Sequence, residues 1–246
     1  MNVIAVIPAR YESSRFPGKV LAKDTGRFLI QHTYEQAIQA RSISSVLIAA
    51  DDERVMEACR SFGAPCVMTS RNHQSGTDRI AEAVRGMDAD IVVNIQGDEP
   101  EMDPAGIDAV ASLLTGDAAL PMGTLVAPLS DRGQIADPNI VKVVVAGDGR
   151  AIYFSRYPIP YDRDAGGIGP SQAYLRHIGI YAYRKEFLMR ITALPQGRLE
   201  VIEKLEQLRV LENGYSIMTA RVDRCADGID TREQYAAFAA RYRKTH

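Results

Sequence analysis

Four short runs, 3–7, 46–50, 66–68 and 91–95, are apolar or nearly so at every position and rich in β-branched residues. A run with no polar alternation is a strand buried on both faces, as in a parallel sheet. Helical patterns lie between the runs. One covers 29–40, a second follows Asp51 and Asp52 (which read as caps) to about 62, and a third starts near Thr77 and carries Ile80, Ala81 and Val84. Strands alternating with helices of this length imply right-handed βαβ units and an open, doubly wound α/β sheet. Pro8 is expected to stop the first strand.

The texture changes after about residue 120. Segments 124–127, 141–146 and 152–155 are strand-like with few helices between them, and Gly147-Asp148-Gly149 predicts a hairpin joining the last two. A Gly-, Asp- and Pro-containing loop at 161–171 is expected to be more mobile than its neighbours. A strand at 178–183, a helix at 199–212, a strand at 217–222 and a helix at 231–243 complete the pattern. With 246 residues and no clean linker, the expectation is a single domain, 1–246, with an antiparallel-rich insertion over about 121–185 and a mixed, mostly parallel sheet.

Apolar residues make up 46% and charged residues 24%, so the chain can bury a core without staples. A net charge of −2 excludes a global field that would recruit nucleic acid or an anionic membrane. Cys59, Cys66 and Cys225 show no metal-ligand spacing and suit a reducing compartment. The start MNVIAVIPAR lacks a basic leader region, and no apolar stretch approaches the ~20 residues that span a bilayer. A soluble cytoplasmic protein is expected.

In an open α/β sheet, ligands gather at the carboxyl ends of the strands. The loop after the first strand, PARYESSRFPGK, holds Arg10, Arg15 and Lys19 without matching either glycine-rich phosphate motif. It reads either as a solvated basic loop or as a phosphate grip built from side-chain cations. In SRNHQSGTDR, Ser75 and Gly76 can bring amides to a ligand, Thr77 is a fair N-cap, and His73 lacks a partner at ligand spacing. Asp98 in QGDEP is a turn former or an oxygen ligand for Mg²⁺. Asp230 in GIDT is a second such carboxylate or a helix N-cap. On the 199–212 helix, Val201, Ile202, Leu205 and Leu208 make the apolar face. Arg209 projects into that face and is either paired with Glu206 or functional.

These segments, with YFSRYPIPYDRD, LRHIGIYAY and IEKLEQLRVL, occur in the order seen in one family. The chain resembles the 3-deoxy-manno-octulosonate (Kdo) cytidylyltransferases from about Val3 to the final helix. The resemblance implies a nucleotide-diphospho-sugar transferase fold, Mg²⁺ dependence and a homodimer. It implies transfer of CMP from CTP to the anomeric hydroxyl of Kdo, an acidic eight-carbon sugar, for lipopolysaccharide synthesis. It puts Pro8, Ala9, Arg10, Arg15, Lys19, Ser75, Gly76 and Arg79 on the nucleotide and makes Asp98 and Asp230 metal ligands. Gln96, Arg156, Arg163, His177, Tyr181, Glu206 and Gln207 fall on the sugar, and Arg10, Lys19, Asp98 and Asp230 are the catalytic set. Asp78 stands where many relatives carry Glu, and the segment 165–171 differs from theirs. The rival readings are a cytidylyltransferase for 8-amino-Kdo or a sialic acid, and a catalytically silent nucleotide-binding subunit. HQSGTDR and EKLEQLR point away from the sialic-acid enzymes.

Overall fold

The computed structural model describes residues 1–13, 15–170, 173–223 and 227–245. Ser14, Ser171 and Cys225 of the segments above lie outside the described residues. The chain forms two compact units, Met1–Asp108 with Ala226–His246, and Ala109–Cys225. The second unit is wider than the 121–185 stretch.

The first unit alternates β1 (Val3–Ala9), α1 (Leu29–Ala37), β2 (Ser45–Ala50), α2 (Glu53–Ser61), β3 (Cys66–Met68), α3 (Gly76–Val84) and β4 (Ile91–Asn94). The strands are parallel in the order β3-β2-β1-β4, one half of a doubly wound sheet. All of β1 is buried, as its unbroken apolar run demands. Pro8 does not stop it. Val6 directs its carbonyl to Ile95 N on the β4 side at 3.1 Å, and β4 pairing ends at Val6↔Asn94. Pro8 shares Val6's side, so its missing N–H falls where there is no ladder left to serve. α1 ends before Ala40 because its last turn tightens into i→i+3 bonds, Gln39 N to Gln36 O and Ala40 N to Ala37 O.

Asp52 caps α2 by accepting from Arg54 N, while Asp51 is turned elsewhere. The α3 cap is Ser75, which accepts from Asp78 N, rather than Thr77. Helix α4 (Pro104–Gly116), within which the division between units falls, was not expected from the sequence. Its signals were present nonetheless: Pro104 at the first position, Asp103 accepting from Ala105 N, and a buried 107/110/111/114 stripe.

The second unit contains β5 (Met122–Pro128), α5 (Arg132–Ala136), β6 (Lys142–Val145), β7 (Ala151–Ser155), β8 (Leu175–Arg184) and α6 (Lys185–Thr192). It continues through α7 (Arg198–Glu203), α8 (Leu208–Glu212) and β9 (Met218–Arg221), and the chain then returns to the first unit as α9 (Arg232–Thr245). β5 pairs antiparallel with β8 and parallel with β9; β6 pairs antiparallel with β7 and β8. The expected β6–β7 hairpin forms, closed by Gly149 N to Ala146 O at 3.0 Å with Gly149 at positive φ. Short α5 and α6 are not expected from the sequence pattern. The described part of the 161–171 loop is tied down: Asp162 and Gly167 exchange backbone bonds of 2.8 and 2.9 Å, and Gly169 N donates to the Tyr174 hydroxyl at 3.0 Å.

The single helix expected over 199–212 is two helices. Lys204 adopts φ 54, breaking the chain between α7 and α8. On a straight helix Glu200 and Arg209 would lie roughly 180° apart; the break brings them together. Arg209 Nε and a terminal nitrogen meet the two Glu200 carboxylate oxygens at 2.8 and 2.7 Å, and its other nitrogen reaches Ile191 O and Leu194 O. Arg209 thus pairs with Glu200, a partner not expected from the helical period. Val201 and Ile202, expected on the apolar face, are exposed, whereas Leu205 and Leu208 are buried. Glu212 completes the arrangement by accepting from Leu199 N at the start of α7. Because both charges are buried, Glu200→Ala is expected to cost about 3–5 kcal/mol. Glu206→Ala, which leaves that pair intact, is expected to cost much less. Urea unfolding of both variants checks this, and equal losses would contradict it.

Candidate nucleotide and metal site

The site in the first unit is built by the loop after β1, the turn after β4 and the segment before α9, which meet at the carboxyl edge of its sheet. The loop after β1 folds on itself: Gly18, at φ 70, donates its N–H to Tyr11 O, and Lys19 N donates to Phe16 O. This starts a 3₁₀ turn at Lys19 and buries the lysine. The Tyr11 N–H is held by the Asp51 carboxylate at 2.9 Å, and the Tyr11 ring lies under the Arg54 guanidinium at 3.4 Å. Arg54 in turn holds the Asp52 carboxyl well below the usual carboxylate range by hydrogen bonding.

Lys19 is the centre of this arrangement. Its Nζ donates to Asp98 Oδ2 at 2.6 Å, Ile229 O at 2.6 Å and Asp230 Oδ1 at 3.3 Å. Arg15 reaches the same Asp230 oxygen at 2.9 Å. The two carboxylates left open by sequence thus share one cation, and their backbones are tied as well, Ile229 N donating to Asp98 O at 2.8 Å. Asp230 does not cap α9. Thr231 does, its hydroxyl accepting from Gln234 N while Gln234 accepts from Thr231 N, a reciprocal capping box. Gly97, beside Asp98, has no room for a side chain: a Cβ there would sit 2.8 Å from Pro8 O.

Arg10 follows β1 half-buried and has no ion-pair partner among the described residues. Ser75 and Gly76 form the start of α3, packed near Pro8, whose Cγ lies 3.3 Å from where a Gly76 Cβ would be. Arg79 is wholly buried, donating to Thr69 Oγ1 at 2.6 Å and Asp51 Oδ2 at 3.2 Å. Asp51 is the residue sequence reasoning missed. It joins β2 to both the loop and α3, and its place directly after a predicted strand was the available signal. His73 pairs with Glu82, holding that carboxyl below its ordinary value.

Asp98 and Asp230 are hard oxygen donors converging on a cation, the donor set that suits Mg²⁺. No group of three or more His, Cys, Asp or Glu gathers among the described residues. A divalent ion here would complete its shell with substrate oxygens and water, as Mg²⁺ sites commonly do.

Of the residues matched to the sugar, Gln96 lies in the first unit, donating to Asn94 Oδ1 at 3.1 Å. The others lie in the second. Arg156 is committed to carbonyls, Glu203 O at 2.6 Å and Pro138 O at 2.9 Å. Arg163 is exposed, Glu206 half-buried, and the buried Gln207 Nε2 has no hydrogen-bond partner among the described residues. The β5–β8 ladder shifts register between Thr124 and Leu125. That shift lets Thr124 Oγ1 donate to Ile180 O at 2.8 Å and leaves the hydroxyl to accept from His177 Nε2–H at 3.0 Å. His177 stacks near Tyr181, their ring centroids 5.4 Å apart. Burial, assisted by the Arg176 charge, lowers the His177 pKa to about 3, so it is neutral.

That shift has a signed consequence. Between the ordinary value of 6.5 and about 3, the unfolded chain takes up a proton that folded His177 refuses. Its contribution is complete above pH 6.5 and is lost as pH falls toward 3, at up to about 1.4 kcal/mol per pH unit. His177→Asn is expected to flatten the decline in unfolding free energy between pH 6 and 4. Unchanged slopes in urea titrations would contradict this.

Comparison with known proteins agrees with the geometry. The Cytidylyltransferase family model matches residues 4–217. A 3-deoxy-manno-octulosonate cytidylyltransferase of Syntrophotalea carbinolica is 48% identical over 99% of both chains. One from Solibacter usitatus is 50% identical over 94% of this chain and 91% of its own. A solved CMP:2-keto-3-deoxy-manno-octonic acid synthetase complexed with CTP superposes with a TM-score of 0.94 at 41% identity, covering all of both chains. The fold alone is shared with 4-diphosphocytidyl-2C-methyl-D-erythritol synthase of Anaerococcus prevotii, with a TM-score of 0.63 at 11% identity over 99% of this chain and 98% of its own. On these grounds the chain belongs to the cytidylyltransferase family, among the 3-deoxy-manno-octulosonate cytidylyltransferases.

Proposed function

We propose that this chain transfers CMP from CTP to the anomeric hydroxyl of Kdo, releasing pyrophosphate, and that it serves lipopolysaccharide synthesis. The observation that carries the reading is the Lys19 ammonium held against both Asp98 and Asp230 at the carboxyl edge of a parallel sheet. Relatives bearing that activity's name match nearly the whole chain.

In the reaction the sugar hydroxyl attacks the α-phosphorus in line and the bond to pyrophosphate breaks, so positioning and charge compensation dominate. Arg10 and Lys19 would neutralise charge on the triphosphate and on the departing pyrophosphate. Pro8, Ala9, Ser75 and Gly76 would cradle the nucleotide, the start of α3 offering amides. Arg15 would steer phosphate, and Arg79, fixed by Thr69 and Asp51, would hold the wall on the base side. Asp98 and Asp230 would hold Mg²⁺, which when bound supplies Lewis acidity to the α-phosphate and the attacking hydroxyl. Arg156, Arg163, His177, Tyr181, Glu206 and Gln207 would hold the sugar. Neutral His177 and the unsatisfied Gln207 amide suit hydroxyls, and Arg163 suits the carboxylate.

The 121–185 stretch would also carry a homodimer contact. Supporting this, Tyr157, Tyr161 and Ile202 are exposed around a cavity of about 620 Å³ in the second unit. No described helix is long and apolar enough to cross a membrane, and a cytoplasmic enzyme fits nucleotide supply.

Pyrophosphate release from CTP and Mg²⁺, with Kdo, 8-amino-Kdo and N-acetylneuraminate offered in parallel, tests the reading. Kdo is expected to be turned over fastest. Silence with all three would overturn the activity, and preference for 8-amino-Kdo or N-acetylneuraminate would reassign the substrate. Asp98→Asn is expected to lower turnover by about 10²–10³-fold or more with an unchanged circular dichroism spectrum. Wild-type turnover would remove Asp98 from the mechanism.

A further inference from the structure

In the second unit the end of β7 and the end of α7 are bonded to each other in both directions. The Glu203 carboxylate, on the last residue of α7, accepts from Ser155 Oγ at 2.7 Å and from the Arg156 N–H at 3.0 Å. In return, Arg156 Nε donates to Glu203 O at 2.6 Å and Nη2 to Lys204 O at 3.4 Å. Both acceptors are end-of-helix carbonyls, which have no partner within the helix. Ser155 is buried, and its hydroxyl also accepts from the Tyr157 N–H at 3.0 Å.

Local preference does not produce this junction. A carboxylate on the last residue of a helix opposes the helix dipole, and Lys204 sits at φ 54, where a side chain crowds the backbone. The Glu200–Arg209 pair already joins α7 to α8. What the Glu203 bonds add is the path of the chain just past the break. Leu205, Glu206 and Gln207 stand there, and Gln207 is only 5% exposed, with its Nε2 unpartnered among the described residues. A bare buried amide is costly until a ligand accepts from it. The same bonds also fix Arg156, whose Nη1 donates to Pro138 O at 2.9 Å. One N–H on each of its terminal nitrogens is left over.

We propose that Glu203 is a positioning residue for the acidic sugar. By tying the end of β7 to the end of α7, it sets Arg156 and the 205–207 segment in their binding arrangement without touching the substrate. The inference rests on the reading above that Arg156, Glu206 and Gln207 hold Kdo.

Hydrogen–deuterium exchange of the ligand-free full chain and steady-state kinetics with CTP and Kdo test it on the same variants. Glu203→Ala is expected to speed exchange at the 204–208 amides by about tenfold or more. It is expected to lower kcat/KM for Kdo by about tenfold or more and to leave KM for CTP within about threefold. Glu203→Gln keeps an oxygen for the Arg156 N–H and an amide for Ser155 Oγ, and is expected to bring both readouts back to within about threefold of the unaltered chain. Ser155→Ala removes one of the two bonds to the carboxylate and is expected to move both readouts in the direction of Glu203→Ala. It decides the matter should Glu203→Ala fail to fold. Unchanged sugar kinetics in Glu203→Ala or Ser155→Ala would overturn the proposal, as would equal losses toward CTP and Kdo. A loss in Glu203→Gln as deep as in Glu203→Ala would also overturn it, because the charge itself would then serve the substrate. If the unaltered chain does not turn over Kdo, the proposed reaction falls and exchange alone judges the junction: unchanged exchange at 204–208 in Glu203→Ala would sink it.

Discussion

A lysine ammonium removed from water must be partnered, and Lys19, whose side chain is only 9% exposed, is partnered by two carboxylates and a carbonyl. Its partners lie 79 and 211 residues away in sequence. One cation therefore fastens the loop after β1 to the turn after β4 and to the segment before α9. Without it, Asp98 and Asp230 would face each other as like charges. The reciprocal cap between Thr231 and Gln234 matters for the same reason, because it relieves Asp230 of capping and leaves its carboxylate for Lys19 and Arg15. Asp51 plays the complementary part on the other side of the loop, joining the Tyr11 amide to buried Arg79.

The second unit rests on a different kind of polar hub. Arg209 spends its donors on Glu200 and on two carbonyls at the end of α6, and this is possible only because Lys204 breaks the helix. His177 is kept neutral by burial and oriented by Thr124, so it enters any ligand contact as a dipole rather than a charge.

The parallel half of the fold was legible because its strands are unbroken apolar runs and its helices repeat at the helical period. Asp98 and Lys19 were findable from their position after buried strands. What the sequence concealed was whatever depended on three-dimensional choice. Pro8 stays in β1 because the neighbouring strand ends, a fact no local propensity encodes. The 199–212 pattern is compatible with one helix, and contacts between residues far apart along it, Glu200 with Arg209 and Glu212 with the Leu199 amide, favour the break. Thr77 and Ser75 were both eligible caps, and the geometry of the turn chose Ser75. Helix α4 carries its signals openly, a proline at its first position and a buried stripe at 107, 110, 111 and 114.

Lys19 unites the two carboxylates, and the proposed function has it meet the nucleotide's phosphates. Steady-state kinetics of Lys19→Met, varying CTP and Kdo in turn, test it most directly. The account predicts that kcat/KM for CTP falls by about 10²-fold or more, while KM for Kdo moves by no more than about threefold. CTP kinetics indistinguishable from those of the unaltered chain would contradict it.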